Sequence, residues 1–379
     1  MLAPVFGLSQ WAVQNSGTTQ RLNSIFFIDV NTGFAAGDSG TIIKTVDGGM
    51  NWTTLSTGSM LSLNAIWFLN SSVGYAAGND GLLLRTSNGG NSWTPVSTGT
   101  TLDLNAMCFI SSSTGIIGGE SGIILKSTDG GNSWTPAASP SIFILNGIAF
   151  SGSSVVIVGK QGSVCWSSDG GNTWEQKPTS VTADLFSVAL KDEVSALVTG
   201  AGGISLLSAD GGSSWNPVNA GPGPDLFCTG WFPGGKVLAA GDSGIVWRSE
   251  DGSTWFEEST GIQAALRAMH LVSEDIVFAC GSGGVMLKQS DANLAGLRTI
   301  HSGSLRIRQG MDEVTAYGLN PGNYSIRWYS ITGALLLVKS QAVGPNGEIS
   351  VSTGNFIPGI FLLHLISSEE SKVAKVVVE

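Results

Sequence analysis

Charge is scarce in this chain. Only 12% of its 379 residues are Asp, Glu, Lys or Arg, and the formal net charge is −10. The shortage is of positive charge in particular: 11 Lys and Arg stand against 22 Asp and Glu up to Leu297, then 7 against 6 from Arg298 onward. A body this acidic repels phosphates, which argues against nucleic acid or an anionic membrane surface as partner. Histidine is scarcer still, with His270, His301 and His364 far apart, and the four cysteines (Cys108, Cys165, Cys228, Cys280) stand singly in apolar segments. With no C-x-x-C or H-x-x-x-H pair to hold zinc, no metal or cofactor is expected, and the thiols read as buried and free. No run of about 18 apolar residues occurs, which excludes a membrane-spanning helix. No stretch keeps a helical period, which excludes a helical fold. The opening MLAPVFGLSQW has neither a basic region nor a full apolar one, so a native signal peptide is expected to be absent from this chain.

What the chain has in excess is glycine, 53 residues, alongside 42% hydrophobic residues, a mixture that reads as many short strands joined by tight turns. The glycines are periodic. GTIIKTVDGGMNW (Gly40–Trp52) returns as GLLLRTSNGGNSW, GIILKSTDGGNSW, GSVCWSSDGGNTW, GGISLLSADGGSSW and GIVWRSEDGSTW, then as a decayed GVMLKQSDANL. The tryptophans of the series, with an orphan at the front, are Trp11, Trp52, Trp93, Trp134, Trp174, Trp215 and Trp255. Each is followed eleven residues later by a leucine: Leu22, Leu63, Leu104, Leu145, Leu185, Leu226, Leu266. Seven units of about 41 residues result. Each reads as four strands: one after the Leu, a short G-x-x-x-G, one before the D-G-G turn and one opening at the Trp. This is the pattern of a β-propeller blade. The seventh unit has lost its final turn and Trp, while the strand around Trp11 has no unit of its own. Pairing the two closes the ring and removes its exposed edges.

In the turn itself the acidic or amide residue (Asp47, Asn88, Asp129, Asp169, Asp210, Asp251) is placed to accept backbone N–H groups, and the Gly-Gly pair supplies positive φ. The pattern [ST]-x-[DN]-G-G-x-x-W resembles the Asp-box, or BNR, hairpin, whose Asp is structural in the families that carry it. With the L-x-x-[IV]-x-F and G-x-x-G elements of each unit, residues 11–291 resemble the propellers of the photosystem II assembly factor-like family. That resemblance implies an all-β, seven-bladed propeller over 1–291 with four-stranded blades. More distant Asp-box relatives include sialidases, sortilin-type receptors and xyloglucan-cleaving glycosidases, so the likeness fixes architecture better than activity.

After Asp291 the repeat stops. Residues 292–304 read as a linker and 305–379 as a small Ig-like β-sandwich. This last segment resembles the type A C-terminal sorting domain of proteins exported by the type IX secretion system of Bacteroidota. The likeness rests on Ile331-Thr332-Gly333 after an apolar strand, Pro358-Gly359-Ile360-Phe361 before the penultimate strand, and Lys372 and Lys375 near the end. The usual Pro-Asn-Pro at the start is missing. The resemblance implies the translocon and its shuttle protein as partners and the outer surface of a Gram-negative bacterium as destination.

Polar residues gather where the second and third strands of a blade meet (Asp38, Asp80, Glu120, Asp242) and just before the Leu series (Arg21, Asp103, Asp184, Asp225). Both sets are expected on one face of the ring, around the channel, either as solvated turn residues or as a surface for an unidentified protein or glycan. A sialidase needs a Tyr nucleophile and an Arg cluster. Here Tyr75 stands where sister units have Phe34 and Ile116, and Arg85 and Arg248 stand where they have Lys44 and Lys126, leaving Arg21 and Arg267. A glycosidase needs two facing carboxylates, so a xyloglucan-cleaving enzyme is the alternative that the acidic face keeps open. The expectation is a binding propeller without catalysis.

Overall fold

The computed structural model describes residues 10–218, 223–232, 235–273 and 276–290. In the C-terminal part it describes 306–309, 313–317, 319–320, 322–330, 335–343, 348–352, 359–367 and 371–378. The chain divides into two compact units, one spanning Ser9–Ser290 and the other containing Asp291–Glu379.

The first unit holds seven four-stranded antiparallel sheets, blades 1 to 7 in chain order: 22–55, 63–95, 104–137, 145–177, 185–217, 226–258, and 266–290 completed by Gln10–Gln14. Blade 3 is representative, with strands Leu104–Phe109, Gly115–Gly119, Ile124–Ser127 and Thr135–Ala137. Its second strand, GIIGG, is buried throughout, because small and apolar residues there are covered on both faces by the adjoining blades, whereas Thr135 and Pro136 at the outer edge are exposed. The core therefore lies between blades. Phe34, Ala36 and Ile42 of blade 1 pack with Leu63, Ile66 and Phe68 of blade 2. Aromatic stacks carry the same contact around part of the ring: Phe27 on Phe278 (4.1 Å), Phe68 on Phe34 (3.8 Å) and Phe109 on Tyr75 (5.1 Å). The four cysteines are buried and free.

Each Asp-box hairpin closes on a buried hydroxyl. In blade 3 Ser127 donates to Asp129 Oδ1 (2.8 Å) and accepts the Gly131 N–H (2.8 Å), while Asp129 accepts the Ser133 N–H (3.0 Å) and hydroxyl (2.6 Å). Asp47, Asp169, Asp210 and Asp251 repeat the arrangement. Asn88 reproduces it with an amide, accepting from Thr86 and Ser92 and donating to the Ser92 hydroxyl. The hairpin tip is also latched to the blade before it. Lys44 Nζ donates to Gly89 O, Lys126 Nζ to Gly170 O and Lys288 Nζ to Gly48 O, each at 2.9 Å. In blade 2 Tyr75 does the same, donating its hydroxyl to Gly130 O.

The ring closes as expected. Strand Gln10–Gln14 pairs antiparallel with Met286–Ser290, setting Trp11 opposite Gln289 in the outermost position of blade 7. Trp11 is buried, and its indole N–H donates to Glu258 Oε2 at 3.0 Å.

The second unit holds two antiparallel sheets: Arg306–Gln309, Glu313–Tyr317 and Glu348–Ser352 in one, and Leu335–Val343, Gly322–Ser330, Gly359–Ile366 and Ser371–Val378, in that order, in the other. Alternation on Gly322–Ser330 buries Tyr324, Ile326 and Trp328, with Leu363 and Leu365 buried on the neighbouring strand. Gly359 opens the penultimate strand, and Lys372 and Lys375 lie on the last. The linker 292–304, Gly333 and Pro358 lie outside the described residues.

Candidate functional site

Every blade begins its first strand with a fully buried Leu paired to the Gly that ends the second strand, and in every blade the register then slips by one residue. A bulge re-aims the residue it carries. The seven bulged residues are Asn23, Asn64, Asn105, Asn146, Phe186, Phe227 and Arg267. The first strands line a central channel of about 240 Å³, and six of these seven, all but Asn23, are among its walls.

The mouth is two-sided. On one half each Asn donates its amide to the carbonyl of the Leu in the next blade: Asn23 to Leu63 (3.0 Å), Asn64 to Leu104 (3.1 Å), Asn105 to Leu145 (3.1 Å) and Asn146 to Leu185 (2.9 Å). On the other half Phe186 and Phe227 pack at 5.2 Å, and the Arg267 guanidinium lies 3.8 Å above the Phe227 ring. Burial pulls the Arg267 pKa down and Arg21 adds to this, while Asp242 and Asp225 oppose it. Arg267 Nε is buried with no hydrogen-bond partner among the described residues. At the opposite end of the first strands, Phe26 packs against Trp67 (4.9 Å) and His270 (5.0 Å), and burial pushes the His270 pKa down to about 4, so the ring stays neutral.

The polar residues singled out in the sequence surround this mouth, and most are engaged in holding it together. Asp103 Oδ1 accepts the N–H of Asp80 in the preceding blade (2.9 Å), Asp184 that of Gln161 (3.2 Å) and Asp225 that of Gly202 (2.9 Å). These donors sit at positive φ, where an exposed turn N–H needs an acceptor. Asp38 accepts from Arg21 (3.2 Å) and Asn23 (3.1 Å), and Glu120 accepts the Asp103 N–H (3.3 Å). The side chains of Asp80 and Asp242 stay exposed. Sequence reasoning left out Phe186 and Phe227 and gave Arg267 no role. The signal was the residue after each Leu, which changes from Asn in four units to Phe, Phe and Arg in the last three.

Fold and hairpins define a closed seven-bladed propeller of the Asp-box kind. The chain belongs to the family described as photosynthesis system II assembly factor YCF48, which it matches over residues 3–107 and 96–218. Among solved structures it is similar to YCF48 bound to a D1 peptide, at 19% identity and a TM-score of 0.65, over 76% of this chain and 99% of that one. YCF48 from Cyanidioschyzon merolae is similar at 18% identity and TM-score 0.65, over 75% and 100%. An ancestral GH74 enzyme is similar at 13% identity and TM-score 0.61, over 98% of this chain and 64% of its own. At these identities the likeness is one of fold. No curated protein matches the chain.

Proposed function

We propose that this protein is a binding or scaffold propeller without catalysis, whose turn face receives a segment of another protein, and that residues 305–379 direct its export through the type IX secretion system to the cell surface. One observation carries the non-catalytic reading: Asp103, Asp184 and Asp225 spend their carboxylates on backbone N–H groups of neighbouring blades. A glycosidase needs a pair of carboxylates free to exchange protons across a cleft. Family membership supports protein recognition, since one relative is a YCF48 bound to a D1 peptide. The features behind the export reading are those of the sequence: Gly333, Pro358, Gly359, Lys372 and Lys375, with the translocon and its shuttle protein as partners.

The test uses the full chain and a variant lacking 305–379, both expressed in a type IX-secreting host behind a signal peptide. The full chain is expected on the cell surface, where crosslinking captures a protein through the ring, and the shortened one in the periplasm. Secretion without the tail would refute the address. Hydrolysis of xyloglucan by the purified chain, abolished by Asp103→Asn or Asp225→Asn, would move the protein to the enzymes.

A further inference from the structure

Six blades treat the bulged position in one of two ways, by clasping the next blade with Asn or by filling the mouth with Phe; blade 7 does neither. Arg267 sets a half-buried charge at the mouth, its guanidinium laid on the Phe227 ring and its buried Nε without a hydrogen-bond partner among the described residues. A guanidinium lying on a ring spends its face on the π system and keeps its edge donors for a planar acceptor. We propose that this half of the mouth binds a carboxylate carried on an apolar group, the carboxylate at the edge of Arg267 and the apolar group against Phe227 and Phe186.

Three observations narrow the ligand. The channel volume of about 240 Å³ limits what enters to roughly one residue-sized group. Asp225 and Asp242 lie near enough to Arg267 to oppose the lowering of its pKa, and their like charge disfavours a phosphate dianion there more than a monoanion. The two phenyl rings give an otherwise polar rim an apolar wall. Both the last residue of a polypeptide and a free aromatic or aliphatic acid satisfy these conditions. The proposal rests on reading the turn face as a binding surface, but not on which protein is bound there.

The experiment titrates the full chain by calorimetry with N-acetylphenylalanine, which mimics a chain end, with its amide, and with 3-phenylpropionate, a free acid lacking the peptide group. The acids are expected to bind at least tenfold more tightly than the amide. Arg267→Gln should erase that preference, and Phe227→Leu should weaken both acids. Tighter binding of N-acetylphenylalanine than of phenylpropionate assigns the site to chain ends, and equal binding assigns it to small acids. Equal affinity for acid and amide, no binding of either acid at millimolar concentration, or undiminished binding by folded Arg267→Gln overturns the proposal. Should that variant fail to fold, the acid-to-amide ratio of the unaltered chain decides alone. Protein capture that persists in Arg267→Gln while the acids fail to bind would sink this site and leave the broader function standing.

Discussion

Two kinds of titrating residue weaken this ring in acid, each in its own pH window. Asp129 and Asp210 accept hydroxyl and N–H donors within their own hairpins, which holds each carboxyl down at about 2 from an ordinary 3.8. A carboxylate more acidic in the folded state contributes stability that is present above its unfolded pKa and is lost as pH falls through the folded one. His270 is depressed for another reason, burial among Phe26 and Phe27, which lowers it from 6.5 to about 4. For a base the sign is unfavourable: between those values the unfolded chain takes up a proton that the folded chain refuses, so stability declines as pH falls from 6.5 toward 4. The expected result is a two-stage acid profile of the urea midpoint. His270→Phe should flatten the upper stage and leave the lower. An unchanged upper stage in that variant would mean that His270 is not the group responsible.

At the scale of the hairpin, the second glycine of the first five Asp-boxes does more than permit a turn. A Cβ on Gly131 would stand 2.6 Å from the Tyr75 ring of the preceding blade, at φ +84, while one on Gly58 meets nothing within 4 Å at φ +72. Gly58→Ala should therefore cost about 1–2 kcal/mol for the left-handed backbone alone. Gly131→Ala should lose a further ~1–3 kcal/mol from overpacking. Chemical denaturation of the two variants checks this, and equal losses would show that the tip does not press on its neighbour. The hairpin itself was legible in the sequence because hydroxyl, Asp, Gly-Gly and Trp lie within eight residues and act on one another. The latch from Lys44 to Gly89 was not, since it joins residues 45 apart that meet only once blades pack. The site fell between these cases. The change from Asn to Phe186, Phe227 and Arg267 is visible in the repeats, but the bulge that turns those side chains into the mouth belongs to strand pairing, which no local pattern states.

The whole ring depends on one short strand brought from the other end of the chain. In an open array each unit leans only on its neighbours, and losing a terminal strand costs one interface. In this ring Gln10–Gln14 completes blade 7, and Trp11 packs into a core shared with Leu238 and Val246 of blade 6 and Val277 and Leu287 of blade 7. Glu258 of blade 6 accepts both the Trp11 indole and the Gln289 amide, and pairs with Arg248 at 3.5 Å, so the seam between the last two blades is tied through that indole. Trp11→Ala should cost about 3–5 kcal/mol, the scale of emptying a buried aromatic site. Removing residues 1–14 should cost more, because Met286–Ser290 then becomes an unpaired edge. A peptide spanning the strand, added to the shortened chain, can pair with that edge. It should raise the melting temperature in proportion to the logarithm of its concentration once in excess, and a Trp-to-Ala peptide should not. If the shortened chain melts at the unaltered temperature, the ring is stable as an open array; if both peptides rescue it equally, the strand closes the ring by backbone pairing and Trp11 does not hold the seam.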